Sequence, residues 1–223
     1  MSASAISISS LGPRTLGDIA ARIPGSTAIF RRHGLDFCCG GFETLEGAVL
    51  RLGLDRNSIA AEIAALAGAE REPPADPDGL IDHILDRFHA VHRRDFPELI
   101  LLARKVAKVH ASHPELPGGI VETLEEMSEA LESHMRKEEQ VLFPMMRRGG
   151  HPMIRQPIAV MYDEHVEHGA RLSALSAATD GFCAPDDACG SWRALYAGLE
   201  KLAVDLTDHI HTENNILFPL FAR

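Results

Sequence analysis

Two stretches decide the fold: SHMRKEEQVLFP at 133–144 and DHIHTENNILFP at 208–219. Each reads His, three residues, Glu, two residues, Val or Ile, then Leu-Phe-Pro. Working outward from the first, Leu124, Met127, Leu131, His134, Glu138, Val141 and Met145 advance in steps of three and four. Around the second, Leu199, Leu202, Leu206, His209, Glu213, Ile216 and Leu220 advance in the same steps. That is the spacing of one core-facing helix stripe. In both stripes a His and a Glu stand among the apolar residues, one turn apart and pointing the same way. A charged carboxylate on an apolar face is costly unless a hydrogen-bonding partner or a metal ion meets it.

Two more stripes carry paired histidines. Leu85, His89, His92, Phe96 and Leu99 form one; Met161, His165, His168, Leu172 and Leu175 form the other, with the same steps. The chain therefore repeats a hairpin, a His-x-x-His helix followed by a His-x-x-x-Glu helix. His134 and His209 lie 75 residues apart, as do Glu138 and Glu213. Glycines and prolines break the pattern at 113–119, 149–150 and 181–190, so helices are expected over about 80–111, 119–147, 152–178 and 191–221. No sustained period-two alternation predicts a strand. The expectation is an all-α, up-down four-helix bundle that gathers four histidines and two glutamates at its centre. A single His-x-x-x-Glu is more often a surface pair, and the duplication in register is what carries the metal reading. Spacing alone leaves open whether His89 or His92, and His165 or His168, face the site.

Two carboxylates and four imidazoles are too many donors for one tetrahedral ion, and no thiol lies on the seam. They suit two six-coordinate ions with both glutamates bridging. Two such ions offer about twelve positions; two bridging carboxylates, one oxo or hydroxo bridge and four histidines leave about two open for small molecules. Iron is the first expectation and manganese the second.

Ahead of the bundle the chain changes character. Residues 1–13 read as a disordered lead, 14–70 as a small helical domain bearing Cys38-Cys39-Gly40-Gly41 on a turn, 71–79 as a linker and 80–223 as the bundle. Thr15 is placed to cap a helix, with Asp18 three residues on. A net charge of −10 argues against nucleic acid as a partner. No apolar run is long enough to span a membrane. Four cysteines in 223 residues are not a disulfide framework, and the expected compartment is the reducing cytoplasm.

At these residues the sequence resembles the hemerythrin-like family, whose motif is matched by His89, by His134 with Glu138, by His165, and by His209 with Glu213. LGDIAARIPGSTAIFRRHGLDFCCGG, from Leu16, resembles the N-terminal cysteine-bearing domain of iron-sulfur cluster repair di-iron proteins. The resemblance spans roughly 14–220. It implies that His89 and His165 are the ligands, with His92 and His168 behind them. It also implies a cytoplasmic di-iron protein of the oxidative and nitrosative stress response, acting on damaged iron-sulfur proteins with an electron donor. Iron donation and reduction of nitric oxide are the chemistries implied, the second making the chain a nitric oxide reductase-type enzyme. The alternative is an oxygen- or NO-binding sensor or carrier without turnover.

Cys38 and Cys39 are read as a thiol pair that takes iron, NO or electrons. Cys183 and Cys189 read as ordinary loop thiols. Glu164 either lines an access route, hydrogen-bonds a group behind the ligands, or is solvated; Glu139 reads as solvated. His110, His113, His151 and His211 read as surface. Phe143 and Phe218 are expected to close the core beside the site, and Pro144 and Pro219 to kink or end their helices.

Overall fold

The computed structural model describes residues 8–66 and 70–221 and is helical throughout; among the described residues no strand forms, and Thr15 and Thr44 make one isolated antiparallel bridge. The N-terminal segment holds five short helices: α1 (Ile8–Leu11), α2 (Leu16–Arg22), α3 (Ser26–Arg32), α4 (Leu45–Arg51) and α5 (Arg56–Ala64). Three of these starts, those of α2, α4 and α5, have a side-chain cap. The Thr15 hydroxyl accepts from the Asp18 N–H, the Thr44 hydroxyl from the Gly47 N–H, and Asp55 from the Asn57 N–H. After α3 the chain turns at Gly34, where φ is +65°. Leu16, Ile19, Phe30, Leu45 and Ile63 are buried together as its core. Of the lead read as disordered, residues 1–7 lie outside the described residues, while Ile8–Leu11 form a helix and Leu11 is fully buried.

Four long helices follow. α6 runs as Pro77–Ile84, a π turn at Leu85–His89, then Ala90–Val109. α7 runs as Ile120–Lys137, a π turn at Glu138–Leu142, then Phe143–Arg147. α8 is a regular α-helix, Arg155–Ala178. α9 runs as Gly190–His211, a π turn at Thr212–Leu217, then a 3₁₀ turn at Phe218–Leu220.

The π turns correct the sequence reading. A π turn takes in one more residue than an α turn, so the buried stripe slips by one place. Ile84 is buried, and the expected Leu85 is half-exposed. Beyond Glu138, Leu142, Phe143 and Met146 are buried; Val141, expected inside, is 51% exposed and Met145 is only half-buried. Beyond Glu213, Leu217 and Phe218 are buried, while Ile216 and Leu220 are half-exposed. In α8, which has no π turn, Met161, His165, His168, Leu172 and Leu175 are all buried as expected.

By packing, the chain divides into Asp78–His209 and a unit made of the segment up to Pro77 together with Ile210–Arg223. The division crosses α9, although that helix runs unbroken. Within the second unit, α2 packs on the π turn of α9. The contact is built around Asn215. A Cβ on Gly17 would lie 2.2 Å from Asn215 Oδ1, and one on Gly41 would lie 2.3 Å from it. The second glycine of the Cys-Cys-Gly-Gly turn is thus a space for Asn215. The Asn215 amide donates to the Phe37 carbonyl at 3.1 Å and to His211 Nδ1 at 3.0 Å, and the Asn214 amide donates to the Cys38 carbonyl at 3.0 Å. His211, expected at the surface, is buried against the Phe37 ring, and its burial lowers its pKa to about 4.

Candidate metal centre

The helices bring the predicted donors together in two overlapping groups. One is His89, Glu138, His209 and Glu213; the other is His134, Glu138, His165 and Glu213, each with its donor atoms within 4.8 Å of one another. All six residues are buried. Each group holds two imidazoles, and both groups hold the same two carboxylates. Glu138 faces both ways: Oε2 lies 3.3 Å from His89 Nε2, and Oε1 lies 3.4 Å from His134 Nε2. His134 Nε2 and His165 Nε2 are 3.0 Å apart. Two nitrogens bound side by side on an octahedral ion at roughly 2.1 Å sit about 3.0 Å apart, so the spacing fits a shared cation.

Two further carboxylates set the ring orientation. His89 Nδ1 lies 2.7 Å from Glu139 Oε1, and His134 Nδ1 lies 2.9 Å from Glu164 Oε2. A carboxylate accepting the Nδ1 proton leaves the Nε2 lone pair turned inward, the arrangement that metal-bound histidines use. Glu139 is therefore not simply solvated. It also receives Arg93 at 2.8 Å, and that guanidinium with His89 holds its pKa down against the upward push of burial. Glu164 takes the hydrogen-bonding role that the sequence left open. Its bond to His134, with Lys137 as a second donor, lowers its pKa to about 2. Glu139 and Arg93 were missed because each looks like an ordinary surface charge. The one available signal was adjacency, since Glu139 directly follows Glu138 as Glu164 directly precedes His165.

His92 and His168 fall outside both donor groups. His92 stacks beside His209 with ring centroids 5.3 Å apart, and His168 meets His134 edge-on at 5.1 Å. Burial first, then the neighbouring imidazoles, lowers their pKa values to about 2 and about 3. Both rings therefore stay neutral at neutral pH. Phe143 stacks on His89 at 5.8 Å and Phe88 on His209 at 5.1 Å, which removes water from those donors. Phe143 and Phe218 are buried as expected.

Glu139→Gln is expected to weaken metal binding by about 10- to 100-fold without unfolding the chain, because Gln keeps the volume and loses the carboxylate that fixes His89. Competition with a calibrated chelator measures it; unchanged affinity would show that Glu139 positions nothing.

The cysteine turn lies in the unit that also holds Ile210–Arg223. Cys38 is buried, Cys39 half-buried, and neither is in a disulfide. Their sulfurs are 3.8 Å apart, and Asp36 Oδ1 accepts from the Cys39 N–H at 2.9 Å. Cys39 first, then burial and the Asp36 charge, push the Cys38 thiol far above its ordinary pKa. Cys183 is exposed, and Cys189 is half-buried with Sγ 3.2 Å from His110 Nε2. His110 and His113 are half-buried, packing against Trp192, and His151 is exposed.

A helical bundle with paired His and Glu donors converging on its seam is a cation-binding bundle. The chain belongs to the family of the Hemerythrin HHE cation binding domain, whose model matches residues 80–221. Residues 12–67 match a second family model, a domain of unknown function (DUF542). Similar proteins include the iron-sulfur cluster repair proteins YtfE of Enterobacter sp. (strain 638) and Escherichia coli O157:H7, each 45% identical over 211 residues covering 92% of this chain and 94% of the relative. The protein of the same name from Shigella boydii serotype 4 is 44% identical over the same coverage. No helix among the described residues is long and apolar enough to cross a membrane.

Proposed function

We propose that the chain is a non-haem di-iron protein that repairs iron-sulfur clusters damaged by oxidative or nitrosative stress. The observation that carries this reading is the sharing of Glu138 and Glu213 by two separate histidine pairs. One ion needs one donor group; two groups with common carboxylates suit two ions bridged by both glutamates. The mixed imidazole and carboxylate donor set is compatible with iron, and the names of the similar iron-sulfur cluster repair proteins support that choice. The YtfE relatives, matched over nearly their whole length, support the repair assignment.

Bound iron would supply coordination sites for a diatomic ligand and the metal that is donated. The chain's own part can be stated residue by residue. His89, His134, His165 and His209 hold one ion of the pair in each two. Glu139 and Glu164 fix two of those rings with Nε2 inward. Phe88 and Phe143 exclude water from one side. Cys38 and Cys39 are the thiols that take iron or electrons, with damaged iron-sulfur proteins as acceptors.

Two measurements test the proposal. Mössbauer spectroscopy of the protein as isolated should show a coupled pair of ferric ions; a single isolated iron site overturns it. Iron-loaded protein mixed anaerobically with an apo-cluster acceptor and added sulfide should restore the cluster. NO addition with a reductant separates the chemistries: N2O formed catalytically marks NO reduction, and NO uptake without N2O marks a carrier.

A further inference from the structure

We propose that Asp36, Cys38 and Cys39 form a second cation site, separate from the buried His/Glu centre, which takes one divalent ion of borderline or soft character such as Fe2+. The three donor atoms lie within 4.8 Å of one another. Their edges match a coordination polyhedron. Cys38 Sγ and Cys39 Sγ are 3.8 Å apart, and Cys38 Sγ and Asp36 Oδ1 are 3.4 Å apart. A tetrahedral ion with metal–sulfur bonds of ~2.3 Å and a metal–oxygen bond of ~2.0 Å sets sulfur–sulfur and sulfur–oxygen edges of about 3.8 and 3.5 Å. The turn is thus close to the ligand geometry before any ion binds.

The surroundings fit a site that loads and unloads. Asp36 is exposed and Cys39 half-buried, so an ion can enter, while Cys38 anchors the inner side. Three protein donors leave a fourth position open to water or to an acceptor's ligand. Without a cation, a carboxylate and two sulfurs crowd together, and ionising the buried Cys38 thiol is unfavourable. A divalent charge reverses that balance, and binding to thiolate ligands releases protons. The backbone is held for the purpose. The Asn214 and Asn215 amides hold the Cys38 and Phe37 carbonyls. A Cβ on Gly40 would come within 2.9 Å of the Asp36 carbonyl and 3.1 Å of its carboxylate, so glycine there lets Asp36 fold over the pair.

The inference deepens the iron-donation reading by naming where an ion in transit is held, and it rests on that reading for its purpose but not for its existence. The test is anaerobic titration of iron-loaded full-length protein with Co2+, followed by the thiolate-to-cobalt charge-transfer band. No cysteine belongs to the His/Glu centre, so the band reports the turn. The expected result is a band saturating at one Co2+ per chain, lost in Cys39→Ser and kept in a Cys183→Ser, Cys189→Ser double variant. Asp36→Asn should weaken binding about tenfold. Asn keeps an oxygen for the Cys39 N–H and removes only the charge, so this variant separates ligation from turn structure. Absence of a band, or Co2+ affinity unchanged in Asp36→Asn, overturns the site. If Co2+ binds as expected while Asp36→Asn donates iron at the normal rate, the site stands and the donation reading falls.

Discussion

Glu138→Ala is expected to cost the protein most of its iron without unfolding it. The two carboxylate oxygens of Glu138 face different histidines, His89 at 3.3 Å and His134 at 3.4 Å, and Glu138 belongs to both donor groups. Removing one histidine strips one group; removing Glu138 strips both. Altering a group that merely orients a ligand costs about 10- to 100-fold in affinity, so losing a shared ligand should exceed about 100-fold at each ion. The metal-free chain should respond in the opposite sense. Glu138 is fully buried close to the equally buried Glu213, and two carboxylates that near repel until a cation meets them, a repulsion that Ala at 138 removes. Melting of the apo variant at or above the wild-type temperature, together with iron content cut by more than about half, is the expected pair of results. Full iron occupancy would remove the centre as drawn. A companion comparison fixes the histidine on α6: His92→Gln should retain more iron than His89→Gln, and the reverse order would mean that the wrong ring has been taken as ligand.

The bundle and four of the inward donors, His134, Glu138, His209 and Glu213, were legible because the chemistry repeats at helical spacing; the choice of His89 and His165 came from the family resemblance. Polar residues on an apolar stripe are conspicuous, and two hairpins in register leave few other arrangements. Register beyond the donors was not legible. Val141 and Ile216 sit at the next correct step for an α-helix and are outside or half-outside in the fold. The cause is the π turn at Glu138–Leu142 and its counterpart at Thr212–Leu217, which spacing rules for a regular helix cannot express. Each π turn falls where a donor must be aimed, on three of the four helices. The residues that orient the donors were hidden for a different reason. Arg93 is exposed and Glu139 half-buried, so composition marks both as surface. His92 could not be told from His89 by spacing, since both are buried on α6. The three-dimensional difference is that one ring carries a carboxylate on Nδ1 and the other does not. Asn214 and Asn215 were passed over although they directly follow Glu213 on a buried stripe. Two amides there need partners, and the partners lie far away in sequence, on the cysteine turn.

That pairing supplies the second large effect. Gly17→Ala should destabilise the protein by about 2–3 kcal/mol, although Ala in a helix is ordinarily the better residue by roughly 0.5–1 kcal/mol. The added Cβ would sit 2.2 Å from Asn215 Oδ1 and 2.8 Å from its Cγ, while the nearest backbone atom, the Gly41 carbonyl, is 3.0 Å away. Nearly all the conflict is therefore with one side chain. Asn215→Ala by itself loses the bonds to the Phe37 carbonyl and His211 Nδ1, and leaving those acceptors unmet should cost about 1–3 kcal/mol. If the two residues share one cavity, their costs cannot add. The double variant has room for both Cβ atoms, so it should be more stable than the sum predicts by at least about 1 kcal/mol. Urea unfolding of the four proteins, wild type, each single variant and the double, closes the cycle. Simple additivity would mean that the glycine of Leu-Gly-Asp is not there to admit Asn215. A clear positive coupling would tie two sequence features that look unrelated, a glycine early in α2 and an asparagine two residues beyond Glu213, to one packing requirement: the cysteine turn is held in place from the helix that carries the metal-facing carboxylate.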